Sequence, residues 1–396
     1  MRVLQVVPSL ASRTGGPAFD IVGSSLALRR CGVETTVFAT DMGSAWAKIR
    51  RRVSLSDLPA GAEELDIRLF AARWPYRIAF SPALYRALGK EISRYDVLHI
   101  HTLFIFPQFA AYRQAIRYGI PYIVTPCGAL DPYLRRHGWL RKAIVHVLWQ
   151  RDMLNRASVL QFKTEEEARL VADVAPAVPR VVVSNGIRCA EYSELPSGSE
   201  FRRRYLGGDD GPLVMNIGRL SYKKGLDILI RAFAILSKDV PGCWLAIVGP
   251  DDEGLTPRLQ ALAEREGIAS RVVFTGMLRG EDKLAALAAA DVWALSSHSE
   301  NFGIVVAEAL AAGRPVVISP AVNIAPDIAE AGAGVVCELT AQAFAAEITA
   351  LLLNDSRRAT LGARAREFVG RWDWGMVGPQ LAEMYATAAA GRGRET

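Results

Sequence analysis

Two carboxylates stand eight positions apart where an apolar strand pattern gives way to a helix pattern. Glu300 lies in the loop after the apolar run 291–296, and Glu308 lies about two turns into a helix predicted to begin near Phe302. Backbone N–H groups at a helix start suit hydroxyl or phosphate oxygens, and here they belong to Asn301, Phe302, Gly303 and Ile304. Each carboxylate can accept hydrogen bonds from a vicinal diol, one at a sugar and one at a ribose. Alternatively, Glu300 only caps the helix and Glu308 is solvated.

Two cations follow the first strand pattern of the second half. Gly218 ends that strand, Arg219 comes next, and Lys224 precedes a predicted helix. Arg as a fork and Lys as a point charge can converge on a diphosphate, and Gly249 after the next strand is predicted close to the same phosphate. Lys223 is predicted to point to solvent. The alternative for the two cations is ordinary surface basicity.

Adjacent glycines mark the first loop of the chain. Gly15 and Gly16 let the backbone approach a ligand closely, and Pro17 suits the first turn of a helix. The pattern is not G-x-G-x-x-G, which argues against a nicotinamide site. A merely flexible loop is the alternative.

The chain contains no motif typical of a metal site. His99 and His101 end a strand pattern and alternate onto one face, so one could serve a cleft while the other belongs to the core. Neither has a third ligand at zinc spacing. The acidic run 251–253 favours a solvated turn over a metal site. Walker A, G-x-S-x-G and H-E-x-x-H motifs are also missing, which leaves P-loop, hydrolase and zincin functions without support.

These residues must be positioned by alternating strands and helices. Near-continuous apolar strands followed by helices predict two doubly wound α/β domains with parallel sheets covered on both faces. Strands are predicted at 3–8, 33–39, 66–71, 96–101, 121–126, 158–163, 180–184, 213–218, 244–249, 271–275, 291–296, 315–319 and 334–338. Helices are predicted at 17–31, 82–94, 223–238, 255–266, 281–289, 303–312 and 342–353. A further helix is expected from Trp372 to Tyr385, followed by a frayed tail over 386–396.

Composition agrees with two such domains. The 396 residues are 51% hydrophobic and 22% charged, which excludes a disordered chain. Apolar stretches are shorter than the roughly 18–20 residues of a membrane span, and the N-terminus lacks the long apolar region of a signal peptide. The five cysteines are scattered, which favours reduced thiols in the cytosol. The predicted domains are 1–190, 191–371 and a C-terminal segment 372–396, with polar turns over 188–211 at the break.

Charge is divided unequally between the halves. Residues 1–190 carry 26 Lys and Arg against 15 Asp and Glu, and residues 191–396 carry 21 against 26, giving net charges of +11 and −5. The basic half favours an anionic partner, unless it is only a solvated face. Within it, residues 133–154 combine Trp139, Trp149 and other apolar side chains with Arg135, Arg136, Arg141 and Lys142. Such a helix can lie in an anionic lipid interface; a core-packed helix with a basic rim is the alternative.

The motifs at 218–225 (G-R-L-x-x-x-K-G) and at Glu300 to Glu308 (E-x7-E), followed by the run 309–317, resemble glycosyltransferase family 4, also called group 1. The resemblance covers nearly the whole chain. It implies the GT-B fold, in which two Rossmann-like domains face a central cleft and a C-terminal helix crosses back to domain one. It also implies retaining transfer from a nucleoside diphosphate sugar, with the acceptor on domain one and the donor on domain two.

The resemblance assigns roles to individual residues. Positions matching Arg219 and Lys224 hold the donor diphosphate, the one matching Glu300 contacts the donor sugar, and the one matching Glu308 contacts the ribose. Gly15 and Gly16 match the glycine loop beside the diphosphate and acceptor. Base contacts in the family are largely backbone, here near Met277 and Leu278.

Two positions depart from the family pattern. The segment 124–131 resembles the family's T-P-H-G stretch, whose histidine lies near the anomeric centre, but Cys127 occupies that position. A neighbouring donor such as His101 or a backbone amide replaces the histidine, or the activity is altered. Similarly, Arg188 stands where the family's N-G-I-D turn has its acid.

The expected enzyme is therefore a metal-independent hexosyltransferase without a cofactor. It would act on a glycan or lipid-linked glycan in surface polysaccharide assembly, in the cytoplasm or at the inner face of the plasma membrane. An epimerase or phosphorylase of the same fold, and a catalytically silent glycan- or nucleotide-binding protein, remain alternatives. Nucleic acid is not an expected partner, because it would not explain Glu300 and Glu308 and no nucleic-acid-binding module is present.

Overall fold

The chain folds as two compact units. The computed structural model describes residues 1–43, 52–136 and 139–390. Unit 1 comprises residues 1–186 together with the chain from Trp374 onwards, and unit 2 comprises Ile187–Asp373.

Unit 1 is built on a seven-stranded sheet in which every pairing is parallel. The strand order is β3-β2-β1-β4-β5-β6-β7. The strands are β1 (Arg2–Val7), β2 (Glu34–Thr40), β3 (Asp66–Phe70), β4 (Val97–His101), β5 (Tyr122–Thr125), β6 (Val159–Phe162) and β7 (Arg180–Val182). The central strands β4, β5 and β6 are buried along their whole length, so both faces are covered and apolar side chains occupy both.

The helices of unit 1 connect successive strands. They are α1 (Gly16–Arg30), α2 (Pro82–Glu91), α3 (Phe106–Tyr118), α4 (Pro132–Arg136), α5 (Trp139–Val145), α6 (Arg151–Asn155) and α7 (Glu165–Leu170). A π-helical turn, His146–Gln150, joins α5 to α6. The carboxyl ends of the strands meet at one edge of the sheet, which is where parallel α/β units place their ligands.

Unit 2 repeats the design with six parallel strands in the order β10-β9-β8-β11-β12-β13. The strands are β8 (Leu213–Ile217), β9 (Trp244–Val248), β10 (Val272–Gly276), β11 (Val292–Leu295), β12 (Val316–Ile318) and β13 (Val335–Val336). The helices are α8 (Ser199–Tyr205), α9 (Leu226–Asp239), α10 (Thr256–Arg265), α11 (Gly280–Ala289), α12 (Ile304–Ala311), α13 (Ala325–Glu330), α14 (Ala341–Leu352) and α15 (Asp355–Val369). Because β8 and β11 are neighbours, the loops that follow them lie side by side.

The last helix, α16 (Trp374–Ala390), returns to unit 1 and packs against α1. Two glycines make room for Trp374 at its start. A Cβ built on Gly23 would lie 2.5 Å from the Trp374 ring, and one on Gly186 would lie 2.4 Å away. Farther along, the hydroxyl of Tyr385 lies 2.6 Å from Nδ1 of His99 on β4. Contacts of Trp374 at its start and of Tyr385 farther along therefore hold α16 against the rest of unit 1.

The predicted fold class and all thirteen predicted strands are confirmed, while two predicted domain boundaries differ from those of the structure. The units divide after Gly186 rather than after residue 190, and after Asp373 rather than residue 371. The chain segments on either side pair within unit 2: Ile187 N donates to Trp372 O at 2.8 Å, and Cys189 N donates to the Asp373 carboxylate at 3.1 Å. The predicted fraying from residue 386 is wrong as far as Ala390, because α16 continues to there; residues 391–396 lie outside the described residues.

Candidate active site

The loop after β8 holds its lysine against the end of β11. Gly225 has a φ of 58°, and a Cβ at this position would lie 2.0 Å from the carbonyl oxygen of Ser296. The Ser296 hydroxyl donates to the Gly225 carbonyl at 2.8 Å, and His298 N donates to the Lys223 carbonyl at 2.7 Å. Only glycine fits this close approach, and it places Lys224 beside the loop that carries Glu300.

Gly218 and Gly249 also pack against each other. A Cβ on Gly249, whose φ is 150°, would lie 1.8 Å from the Gly218 carbonyl oxygen. The absence of a side chain at Gly249 is thus required by packing of the two strand-end loops. Its predicted proximity to a phosphate stays a prediction.

Glu300 is a buried carboxylate surrounded by cations. The Lys224 ammonium hydrogen-bonds Oε2 of Glu300, and Nζ of Lys223 lies 3.8 Å from Oε1. The Lys224 side chain is 9% exposed and that of Glu300 is 14% exposed. The prediction that Lys223 points to solvent is wrong, because the 3₁₀ turn Tyr222–Lys224 directs both lysines towards the carboxylate. Arg219, in the loop directly after β8, is exposed.

The cations determine the ionisation of Glu300. Burial by itself raises the pKa of this carboxyl, but Lys223, Lys224 and Arg219 outweigh burial and lower the pKa to about 2. Burial lowers the pKa of Lys224, with Glu300 opposing the shift. Glu300 is therefore an anion at neutral pH, able to accept hydrogen bonds but not to supply a proton.

The backbone around Glu300 is fixed on both sides. Glu300 N donates to the Ala321 carbonyl, and Asn323 N donates to the Glu300 carbonyl, both at 3.0 Å. Gly303, with a φ of 77°, precedes α12, which begins at Ile304, close to the predicted start.

The two residues before Gly303 differ in burial. Phe302 is 2% exposed and packs edge-on against Trp372, so its side chain belongs to the core. Only its backbone can face a ligand. Asn301 is half-buried, and its Oδ1 lies 3.4 Å from Nδ2 of Asn323.

Glu308 lies one turn into α12 and also has a cationic partner. Nζ of Lys283, on α11, lies 2.6 Å from Oε1 of Glu308, with side chains 23% and 14% exposed. Burial, and next the charge of Glu308, raises the pKa of Tyr192 well above its usual value. Sequence analysis missed Lys283 and Tyr192, since neither belongs to a motif and both are distant from Glu308 along the chain.

The loops after β9 and β10 complete this edge of unit 2. Met277 is exposed and Leu278 half-buried, directly after β10. The predicted solvated turn at 251–253 is a bend in which Asp252 and Glu253 are exposed. It also makes structural contacts: Asp251 accepts hydrogen bonds from Leu255 N and Thr256 N at the start of α10, and Glu253 accepts from the Ser221 hydroxyl at 2.6 Å and from Tyr222 N at 3.0 Å. Glu253 thus holds the loop that carries Lys223 and Lys224.

In unit 1, the predicted glycine loop leads into α1. Gly15, with a φ of 77°, precedes the helix, Gly16 is its first residue, and Pro17 lies in its first turn. The local prediction is confirmed; the assignment of Gly15 and Gly16 to a donor or acceptor stays a prediction.

Both histidines of β4 are buried. His99 is 1% and His101 5% exposed, their rings lie 3.8 Å apart on one face as predicted, and Nε2 of His101 lies 2.9 Å from Oε1 of Gln5. Burial lowers the pKa of each imidazole well below its usual value, so both are neutral. Both therefore lie in a buried network that includes Thr125 and Gln5; that His101 acts in place of the family's histidine stays a prediction.

Cys127 stands just beyond β5 in a left-handed conformation, with a φ of 53°. Burial raises the pKa of its thiol to about 12, so it is protonated at neutral pH and is not a nucleophile.

Close by is an ion pair that sequence analysis missed. Nζ of Lys163 lies 3.0 Å from Oδ2 of Asp20, and both residues are at least nine-tenths buried. The sequence signal for this ion pair was Lys163 itself, a charged residue directly after β6.

Among residues 1–43, 52–136 and 139–390, no group of three or more His, Cys, Asp or Glu side chains could hold a metal ion. The family model described as "Glycosyl transferase 4-like domain" matches residues 15–186, and "Glycosyl transferases group 1" matches residues 199–368. The chain belongs to the group 1 glycosyltransferases. The family resemblance seen in the sequence is thus confirmed.

Relatives in this glycosyltransferase family match over nearly the full chain. A D-inositol 3-phosphate glycosyltransferase of Xylanimonas cellulosilytica is 29% identical, covering 96% of this chain and 93% of the relative. A phosphatidyl-myo-inositol mannosyltransferase of Mycolicibacterium smegmatis is 27% identical, covering 98% and 94%. The crystal structure of HepE from Anabaena in complex with UDP and glucose has a TM-score of 0.79 at 21% identity, covering 98% of this chain and 100% of that one. That similarity confirms the fold.

Proposed function

We propose that the protein is a retaining, metal-independent glycosyltransferase that moves a hexose from a nucleoside diphosphate sugar to a hydroxyl of a glycan or lipid-linked glycan. One observation carries this proposal. Glu300 and Lys224 form a buried ion pair at the carboxyl edge of the unit 2 sheet, with Lys223 and Arg219 beside them. A core that needed only stability would gain little from such a pair, because its desolvation offsets its attraction.

The donor would lie on unit 2. Arg219 and Lys224 supply positive charge for the diphosphate, and the first N–H groups of α12 add further donors. Glu308 would accept from the ribose hydroxyls, with Lys283 holding its carboxylate in place. Structures of HepE with UDP and with UDP-glucose make UDP-glucose the first donor to test.

Glu300 would orient the sugar rather than react with it. Its pKa of about 2 keeps it ionised, and both of its oxygens face lysine ammonium groups. It can therefore accept hydrogen bonds from sugar hydroxyls. The departing phosphate takes the proton of the acceptor hydroxyl on the same face, so configuration is retained. The cations stabilise the negative charge that develops on the diphosphate, which is why no metal is needed.

The acceptor would be anionic and bind unit 1. Residues 1–190 carry a net charge of +11, and the names of the two relatives above contain an inositol phosphate and a phosphatidylinositol. We infer that the enzyme works in the cytoplasm at the inner face of the plasma membrane, in assembly of a surface glycan. No helix in the described part of the chain has the length and apolar character to cross a membrane.

A donor screen followed by turnover tests these proposals. UDP-, GDP- and ADP-sugars are compared by thermal shift, since a bound donor raises the melting temperature by mass action, and the best donor is then assayed with and without acceptor. Transfer that needs an acceptor supports the proposal. A sugar isomer formed without acceptor indicates an epimerase, dependence on phosphate indicates a phosphorylase, and binding without turnover indicates a silent binder.

A matched pair of variants ties turnover to the site. Arg219→Ala is expected to lower kcat/KM by roughly 10²–10³-fold, because it removes charge stabilisation of the leaving group. Lys238→Ala removes an exposed lysine from the same unit and should leave turnover within about twofold of wild type. Equal rates for wild type and Arg219→Ala would refute the site assignment.

A further inference from the structure

An apolar helix face of unit 1 is open to solvent. α5, the π-turn and α6 form one helical stretch over residues 139–155. Large apolar residues between 52% and 80% exposed are Trp139, Leu140, Ile144, Val147 and Leu148. Four of them have the spacing of one helix face. The opposite side is packed into the core through Val145, Trp149, Met153 and Leu154. We call the five exposed residues the apolar face.

A core-packed helix with a basic outer rim would look different. In that arrangement the apolar side chains would be buried and the outward side polar. Here the helix has apolar side chains on both sides. Exposed apolar clusters of this kind mark contact surfaces in proteins. The side chains of Arg135 and Arg136, which the sequence included in this segment, lie outside the described residues, as do His137 and Gly138.

A second element adds aromatic and basic groups next to the apolar face. The turn after β3 exposes 79% of Trp74 and carries the exposed Arg77. Arg77 lies close to Arg141 of α5: burial, and next the charge of Arg77, lowers the pKa of the Arg141 guanidinium. The exposed Arg77 therefore adds a positive charge, and the exposed Trp74 an aromatic ring, close to the apolar face.

The charges around the apolar face are mostly positive. Arg151 is exposed one turn beyond Leu148. The acid beside it, Asp152, accepts a hydrogen bond from the Tyr112 hydroxyl and lies 3.7 Å from Arg156. The apolar face is therefore flanked mainly by arginines rather than by charges of both signs, which suits contact with an anionic surface.

We propose that the apolar face binds an anionic lipid bilayer, with its apolar side chains entering the interface and the exposed Arg77 and Arg151 contacting headgroup phosphates. The inference deepens the proposed function, on which it rests for the lipid-linked nature of the acceptor. Charge selects the lipid over a second copy of the chain, because a two-fold contact through this face would bring like charges together. Amphipathic helices with basic flanks bind anionic interfaces in this way.

Flotation of the full chain with vesicles tests the proposal without donor or acceptor. Vesicles of phosphatidylcholine alone are compared with vesicles that also contain phosphatidylglycerol, at low and high salt. Wild type is expected to float with the anionic vesicles and less with neutral ones. Leu148→Asp should lower the bound fraction roughly tenfold or more, since it removes an apolar side chain and adds a repelled charge. Leu353→Asp is the matched control: Leu353 is 68% exposed against 73% for Leu148, and it should bind as wild type does.

Two further measurements keep the outcome decisive. UDP-induced thermal shift of Leu148→Asp should equal that of wild type, which separates lipid binding from folding and from the donor site. Tryptophan emission should shift to the blue on anionic vesicles, and Trp139→Phe should reduce the shift. Equal flotation of wild type and Leu148→Asp would overturn the proposal. So would no flotation of wild type with any vesicle, or self-association of wild type that Leu148→Asp abolishes. Because no turnover is involved, these failures are distinct from failure of the proposed function.

Discussion

Replacing Lys224 by methionine tests whether the buried ion pair of unit 2 serves catalysis as well as structure. Methionine keeps much of the volume of the side chain but removes its charge. Lys224→Met leaves Glu300 charged, 14% exposed, with Lys223 at 3.8 Å as its remaining close cation. Lys238→Met on the exposed side of α9 is the control for loss of a lysine.

The expected loss of stability follows from this geometry. Removing one partner of a buried ion pair costs about 3–5 kcal/mol, since the other charge stays desolvated. Lys223 and Arg219 still compensate Glu300 in part, which places the loss near the lower limit, at about 3 kcal/mol. For a unit of this size, that loss lowers the melting temperature by roughly 6–12 °C.

The double variant Lys224→Met/Glu300→Gln separates stability from catalysis. With both charges removed, the free energy of unfolding should recover to within about 1 kcal/mol of wild type. Transfer should stay at least roughly 10²-fold below wild type, because the proposed diphosphate cation and the proposed sugar-orienting carboxylate are both lost. Urea unfolding and a transfer assay with the donor found by thermal shift measure the two quantities. The reasoning fails if Lys224→Met is as stable as Lys238→Met, or if the double variant regains activity together with stability.

Two further predictions concern the fold of unit 1. Gly186→Ala should lower the free energy of unfolding by about 1–3 kcal/mol, because the added Cβ would lie 2.4 Å from the Trp374 ring. Gly370→Ala, with no atom within 4 Å of the added Cβ, should change it little, and equal urea midpoints for the two variants would contradict the packing. The pKa values of His99 and His101 are held well below 6.5 by burial, so the unfolded chain binds protons that the folded chain does not. The contribution of the two histidines to the free energy of unfolding is therefore complete above pH 6.5. Below that pH the free energy of unfolding falls by up to about 1.4 kcal/mol per pH unit for each imidazole. Urea unfolding at neutral and mildly acidic pH measures this slope, and a flat profile would exclude neutral buried histidines.

Most strands were predictable because they are short, mainly apolar runs in sheets covered on both faces. β11, for example, is buried at all four residues, and its sequence Val-Trp-Ala-Leu shows this directly. Two long helices, α3 and α15, were not predicted. α15 places Arg357, Arg358, Arg364 and Arg366 along its length, which obscures its apolar face.

The candidate site was predictable only where short motifs carry it. Glu300, Arg219 and Lys224 follow from two motifs at strand ends. The direction of Lys223 depends on a 3₁₀ turn, which the sequence does not show. The pairing of Lys283 with Glu308 joins α11 to α12, and such contacts depend on helix packing rather than on local pattern.

The central claim is that unit 2 activates a nucleoside diphosphate sugar for transfer with retention. The most direct test is the anomeric configuration of the product, read by NMR from a donor of known configuration, for wild type and for Arg219→Ala. The account predicts an acceptor-dependent product with the configuration of the donor, formed by wild type and nearly lost in Arg219→Ala. An inverted product, or the same product at an undiminished rate in Arg219→Ala, would contradict it.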